Sequence, residues 1–197
     1  MKKVIIGLYL CAFLLLPPPL FAGVPLTTVE RHVNSVLDVL RDPALKGETG
    51  KKIKKEKVRA ISEKMFDFNE LSKRTLGPNW RRLNPDQQKE FVVLYRDILE
   101  DAYMDRITAY KDEKVAFDKE TMLTDDTAEV RSTVFSKTEE IPINYRLILK
   151  GGEWKVYDVV IEGVSLIMNY RAQFRDILAN KTPVELLNIL RKKVGKA

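Results

Sequence analysis

Apolar residues recur at helical spacing through the first half of the chain and at alternate positions through much of the second. Leu26, Val29, Val33, Val36, Leu37 and Leu40 form one stripe, which Asp42-Pro43 stops. Beyond a loop holding Gly47 and Gly50, a basic helix is predicted over residues 51–65, and a short helix from Phe66 to a Gly77-Pro78 stop. Asn84 is placed to cap a long helix and Pro85 to open its first turn. The apolar stripe of that helix is Phe91, Leu94, Tyr95, Ile98, Ala102, Tyr103, Ile107 and Tyr110.

After Lys111 the period falls to two. Residues 114–119, 128–136, 141–150 and 153–161 read as four strands, and residues 165–179 and 183–193 return to helix. Helices, one four-stranded antiparallel sheet and a helical tail describe an α+β domain. Gly151-Gly152 is a two-residue hairpin turn, since both positions accept positive φ. That turn pairs Leu149 with Trp154, Leu147 with Val156, Tyr145 with Asp158 and Ile143 with Val160, and paired residues share a face. The resulting apolar face carries an acid, Asp158, and a one-residue slip would exchange the two faces.

The N-terminus changes the compartment. Lys2 and Lys3, an apolar run over residues 4–16, and Ala22 after Pro17-Pro18-Pro19 have the pattern of a secretion signal, too short to span a bilayer comfortably. Cys11 lacks the small residues before it that lipid attachment needs, because Tyr9 and Leu10 are bulky. Cleavage after Ala22 would leave residues 23–197 as one domain without cysteine, which excludes thiol catalysis and thiolate metal sites. With Lys2 and Lys3 set aside, 32 basic residues stand against 28 acidic, a net of +4. In an exported protein that balance points toward anionic surfaces more than toward nucleic acid.

Candidate chemistry is sparse. A carboxylate on an apolar face has its pKa raised by desolvation, so Asp158, with Tyr145 or Tyr103 as donor, is the one candidate general base. The alternative is a satisfied core acid. His32 is the only histidine and has no companion ligands, so no metal is expected. Lys51, Lys52, Lys54, Lys55, Lys57 and Arg59 could steer docking onto acidic partners or head groups, or form a solvated helix face.

Trp154-Lys155-Val156-Tyr157-Asp158-Val159, Glu162-Gly163-Val164-Ser165-Leu166, Asn169-Tyr170-Arg171 and Phe174 resemble the C-terminal signature of the MlaC family. Its members are periplasmic phospholipid-binding proteins, also called toluene-tolerance auxiliary components. Phe66-Asp67, Leu76-Gly77, Trp80, Gln88, Phe91 and the stretch from Leu99 to Tyr103 agree with it. The resemblance implies a cone-shaped, nuclear-transport-factor-like fold with an acyl-chain pocket between sheet and helices. It also implies a periplasmic carrier that moves phospholipid between an outer-membrane lipoprotein–porin complex and an inner-membrane ABC transporter with a lipid-binding hexamer, maintaining outer-membrane lipid asymmetry.

The expected ligand is phospholipid, with no cofactor and no catalytic residue. Candidate lipid-binding residues are Leu94, Ile98 and Tyr103 from the long helix, and Val130, Val134, Ile143, Tyr145, Leu147, Val156 and Val160 from the strands. Ile167, Met168 and Arg171 complete the set, with Arg171 near the lipid phosphate. Two acyl tails in water cost on the order of 20 kcal/mol, which an apolar cleft offsets without any catalytic group. An enzyme using Asp158 on a small apolar substrate is the alternative.

Overall fold

The computed structural model describes residues 24–109 and 113–196. The expected secretion signal over residues 1–22 and Tyr110 of the long-helix stripe lie outside the described residues.

Helix α1 (Pro25–Arg41) opens with proline in its first turn and has no side-chain cap of its own. A distant carboxylate takes that role: the Leu26 N–H donates to Glu120 Oε2 of the sheet at 2.8 Å. Helix α2 (Gly47–Met65) starts earlier than the spacing predicted. Gly50 lies inside it because the Leu45 backbone passes so close that any Cβ at Gly50 would collide with it. Helix α3 (Phe68–Leu76) is capped by Asp67, which accepts from the Glu70 N–H at 2.8 Å, and Gly77 ends it at φ 56°. After a 3-10 turn over Gly77–Arg82, helix α4 (Pro85–Thr108) begins with a reciprocal cap between Asn84 and Gln87.

The sheet runs β1 (Lys114–Thr124), β2 (Thr127–Phe135), β3 (Glu140–Lys150), β4 (Glu153–Ile161) and β5 (Val164–Ser165), in that order and antiparallel throughout. Among the described residues five strands replace the expected four. Glu162 and Gly163 both adopt positive φ, and the chain turns back to pair Val160 with Ser165 before Ser165 caps α5 (Leu166–Leu178). Helix α6 (Pro183–Lys193) closes the chain, capped reciprocally by Thr182 and Glu185.

The hairpin has the predicted register near its turn: Leu149 faces Trp154 and Leu147 faces Val156. Beyond that point β4 carries a bulge. Arg146 pairs with Asp158, leaving Tyr157 as the extra residue, so Tyr145 pairs with Val159 and Asn144 with Val160. The expected pairings of Tyr145 with Asp158 and of Ile143 with Val160 are therefore incorrect. Val159 takes the place on the Tyr145 face that had been given to Asp158.

Helices cover both faces of the sheet. Leu147, Leu149, Val156 and Val159 join Ala128 and Val130 in a core with Val29 of α1 and Met65 of α2. Ile148 and Tyr157 point the other way, into a second core built by α3, α4, α5 and α6. That core centres on aromatic rings: Tyr95 stands 5.1 Å from Tyr170 and 5.3 Å from Phe174, and Phe91 stands 5.6 Å from Phe174. The α4 stripe does not continue as predicted. Ala102 and Ile107 are exposed, and Met104 instead packs with Leu40 and Val58 of the first two helices.

Candidate functional site

The candidate lining residues fall into two layers. Val130, Leu147 and Val156 are 0% exposed in the sheet-face core, with Ile143 and Tyr145 half-buried beside them. Leu94, Ile98 and Ile167 lie in the helical core instead. Tyr103 of α4 and Phe66, just before α3, pack against both layers and join them. Of the thirteen candidates, only Tyr103 spans that junction. Val134 is half-buried on β2 opposite Ile141 and Val115. Val160 is buried, but the bulge sets it opposite Asn144, away from the Tyr145 face.

Within the sheet-face layer the Tyr145 hydroxyl is enclosed and bonded to Ser132, whose own Oγ donates to the Ile143 carbonyl at 2.9 Å. Burial pushes the Tyr145 phenol up to about 12, and the Ser132 bond only partly opposes that. A polar pair inside an apolar wall is thereby neutral and satisfied.

Asp158 does not face this wall. It is 1% exposed and accepts from Ser165 Oγ at 2.7 Å, the Ile167 N–H at 3.1 Å and Arg146 Nη1 at 3.3 Å. Three donors engage both carboxylate oxygens, so the acid ties β3 and β4 to the start of α5. A second polar group lies on the same side of the sheet and was not foreseen. Lys150 pairs with Asp67 at 2.7 Å and Glu70 at 3.3 Å, Glu70 holds Arg74 at 2.7 Å, and the Arg74 guanidinium sits 4.2 Å over the Tyr157 ring. The charges alternate in sign, yet residues 67 and 150 are too far apart in sequence for local spacing to suggest their contact.

Met168 is 57% exposed, and Arg171 is exposed on the same helix. Arg171 donates to the Arg74 main-chain carbonyl and contacts Met168 Sδ at 3.8 Å. The basic helix is largely committed to structure. Lys51 pairs with Glu48, Lys54 donates to the Leu40 carbonyl, Lys55 pairs with Asp105 and Arg59 pairs with the buried Glu100. Lys52, Lys57 and Lys64 are its exposed cations without such a partner among the described residues. Among the described residues no group of three or more His, Cys, Asp or Glu side chains could hold a metal ion. No described helix is long and apolar enough to cross a membrane.

The family profile described as MlaC protein matches residues 30–192. The chain belongs to the MlaC family. The matched span contains all thirteen candidate residues. A curated MlaC relative, the intermembrane phospholipid transport system binding protein MlaC of Haemophilus influenzae, is 28% identical over 119 residues. That alignment takes in 58% of this chain and 55% of the relative, so the chain spans little more than half the length of the curated protein it matches. A phospholipid-binding protein from Ralstonia solanacearum, solved in complex with a phospholipid, superposes with a TM-score of 0.78. The overlap covers 88% of this chain and 98% of that one at 24% identity, a likeness of fold.

In this MlaC-family chain the segment over residues 154–174 has a double part. Val156 and Val159 build one layer, while Tyr157, Ile167, Tyr170 and Phe174 build the other. Sequence reasoning missed Phe66, Met65 and Val159 as members of the layers. An acid falling on an otherwise apolar face was the available sign that the register shifts at Tyr157.

Proposed function

We propose that this chain is a phospholipid carrier that encloses acyl chains between its sheet and its helices. It works in the periplasm once residues 1–22 have been removed as a secretion signal. It exchanges lipid between an outer-membrane lipoprotein–porin complex and the lipid-binding hexamer of an inner-membrane ABC transporter, and so maintains outer-membrane lipid asymmetry. One observation carries this reading within an MlaC-family fold. Two apolar layers, one on the sheet and one among the helices, meet at Tyr103 and Phe66, with polar ties set around them.

Val130, Leu147 and Val156 are 0% exposed and leave no water-sized void against their side chains. Acyl chains therefore enter by parting the layers. Tyr103, Ile143 and Tyr145, all half-buried, form the contacts that open first and are remade around lipid. Each methylene taken up recovers about 0.8 kcal/mol, so a pair of tails outweighs the contacts given up. No step of this work asks for a catalytic group, and Asp158 is held by three donors.

The test is transfer. Donor vesicles carrying a labelled phospholipid are mixed with protein and sedimented. Label in the supernatant, in proportion to protein, supports the carrier. Label that stays with the vesicles at every protein concentration contradicts it.

A further inference from the structure

An open groove of about 490 Å3 lies between α1, the last turn of α2 and the tip of the β3–β4 hairpin. Thr28, Arg31, His32, Lys64, Glu153, Trp154 and Lys155 line it. Three cations and one acid share this space, so two positive charges are in excess. Lys155 is already engaged, pairing with Glu153 at 2.9 Å and donating to the Lys64 carbonyl at 2.8 Å. Neither Arg31 nor Lys64 forms a salt bridge among the described residues, although the Arg31 charge helps Lys155 hold the Glu153 carboxyl below its ordinary pKa. The groove belongs to neither apolar layer's junction, and none of the thirteen lipid-contact candidates lines it.

We propose that this groove binds a phosphate group, with Arg31 and Lys64 as its principal ligands and Thr28 supplying a hydroxyl donor. Arg31 offers a planar fork that fits two phosphate oxygens, and Lys64 adds a point charge. The volume exceeds what a single phosphate fills and leaves room for a glycerol unit. Inorganic phosphate and a phospholipid head group are both sources of this chemistry. The groove is separate from the junction at Tyr103 and Phe66, so it does not rest on the carrier reading.

His32 gives the groove its reporter. Its imidazole is held below its ordinary pKa first by partial burial and then by Arg31, Lys155 and Lys64. It is the only histidine in the chain. A bound anion offsets those three cations and raises the imidazole pKa, so phosphate binding and protonation of His32 reinforce each other.

The experiment follows the His32 ring by NMR in the full chain freed of lipid, at fixed pH. Inorganic phosphate and glycerophosphoglycerol are added in separate arms, against sodium chloride of equal ionic strength. The expected result is a saturable shift, and an upward-moving His32 titration midpoint, with one or both phosphate probes and not with chloride. A response to phosphate alone assigns the site to the free ion, whereas a response to glycerophosphoglycerol assigns it to a head group. Arg31→Gln combined with Lys64→Gln, both exposed positions, should weaken binding about tenfold or more. Linear shifts identical to those with chloride, or saturation that survives the double variant, would overturn the proposal.

Discussion

Arg146 and Asp158 stand opposite each other on β3 and β4, with guanidinium Nη1 3.3 Å from a carboxylate that is 1% exposed. The bulge at Tyr157 brings this about. In the register without the extra residue, Asp158 would share the sheet-face core with Tyr145, away from Arg146.

Asp158→Asn keeps the shape but replaces one acceptor oxygen with an NH2 group that faces either the Ile167 N–H or the Ser165 and Arg146 donors. The expected cost is about 1–3 kcal/mol of folding stability, read as a lower urea midpoint with unchanged slope. Lipid taken up per folded molecule should not change. A variant as stable as the parent would show that the carboxylate does not hold β4 to α5.

Leu147 and Met168 were both expected to line the lipid path, yet their surroundings differ. Leu147 is 0% exposed and Met168 is 57% exposed. A charge at Leu147 must be desolvated at a cost of several kcal/mol, so Leu147→Asp should give protein without native circular dichroism. Met168→Asp should fold normally and take up less lipid. Finding Leu147→Asp folded and merely lipid-free would mean that the sheet-face layer already encloses a cavity.

Helix α2 is joined to α4 by Lys55–Asp105 at 2.7 Å, Arg59–Glu100 at 2.6 Å and Glu63–Arg96 at 3.0 Å. Glu100 is the buried member, its side chain 8% exposed. Arg59→Ala strips it of its nearest cation and should cost about 1 kcal/mol, moderated because Arg59 itself is half exposed. Lys51→Ala removes only an exposed pair within α2 and should leave the midpoint where it was. Equal effects from the two variants would contradict a clamp between the helices. Reversing Lys52, Lys55 and Arg59 together would break two of these pairs, so Lys52→Glu with Lys57→Glu is the cleaner probe of electrostatic steering.

His32 makes stability depend on pH with a definite sign. Its pKa in the folded chain lies below the ordinary 6.5, because of partial burial and then Arg31, Lys155 and Lys64. Well above pH 6.5 the ring is neutral in both states and adds no slope. As pH falls below 6.5 the unfolded chain takes up the proton first, so stability declines until the folded imidazole also protonates. His32→Gln should flatten that part of the curve of urea midpoint against pH. A parent protein whose stability rises as pH drops from 6.5 would contradict the assignment.

Much of the fold was legible because it is written in local signals. Asn84-Pro85, Gly77-Pro78 and Gly151-Gly152 act within a few residues, and the helix and strand boundaries near them fell where expected. The errors came from effects that local spacing does not carry. The bulge at Tyr157 inserts a residue without disturbing the apolar composition of β4, so alternation from the hairpin turn placed Asp158 and Val160 on the wrong face. Helix α1 takes its N-terminal acceptor from Glu120, across the domain. Lys55 and Arg59 of α2 read as part of a free basic face because their partners on α4, Asp105 and Glu100, are some forty to fifty residues away in the chain. The candidate lipid contacts were recognisable as apolar. Their division into two layers joined at Tyr103 depends on tertiary packing alone.

A carrier of this design must hold phospholipid between those layers. Native mass spectrometry of protein purified from a cell envelope, followed by solvent extraction of the same sample, addresses it directly. A loaded carrier gives a protein peak shifted by whole phospholipid masses, collapsing to the bare polypeptide on extraction, with phospholipid recovered in the organic phase. A bare polypeptide mass alone, unchanged after incubation with phospholipid vesicles, would contradict it.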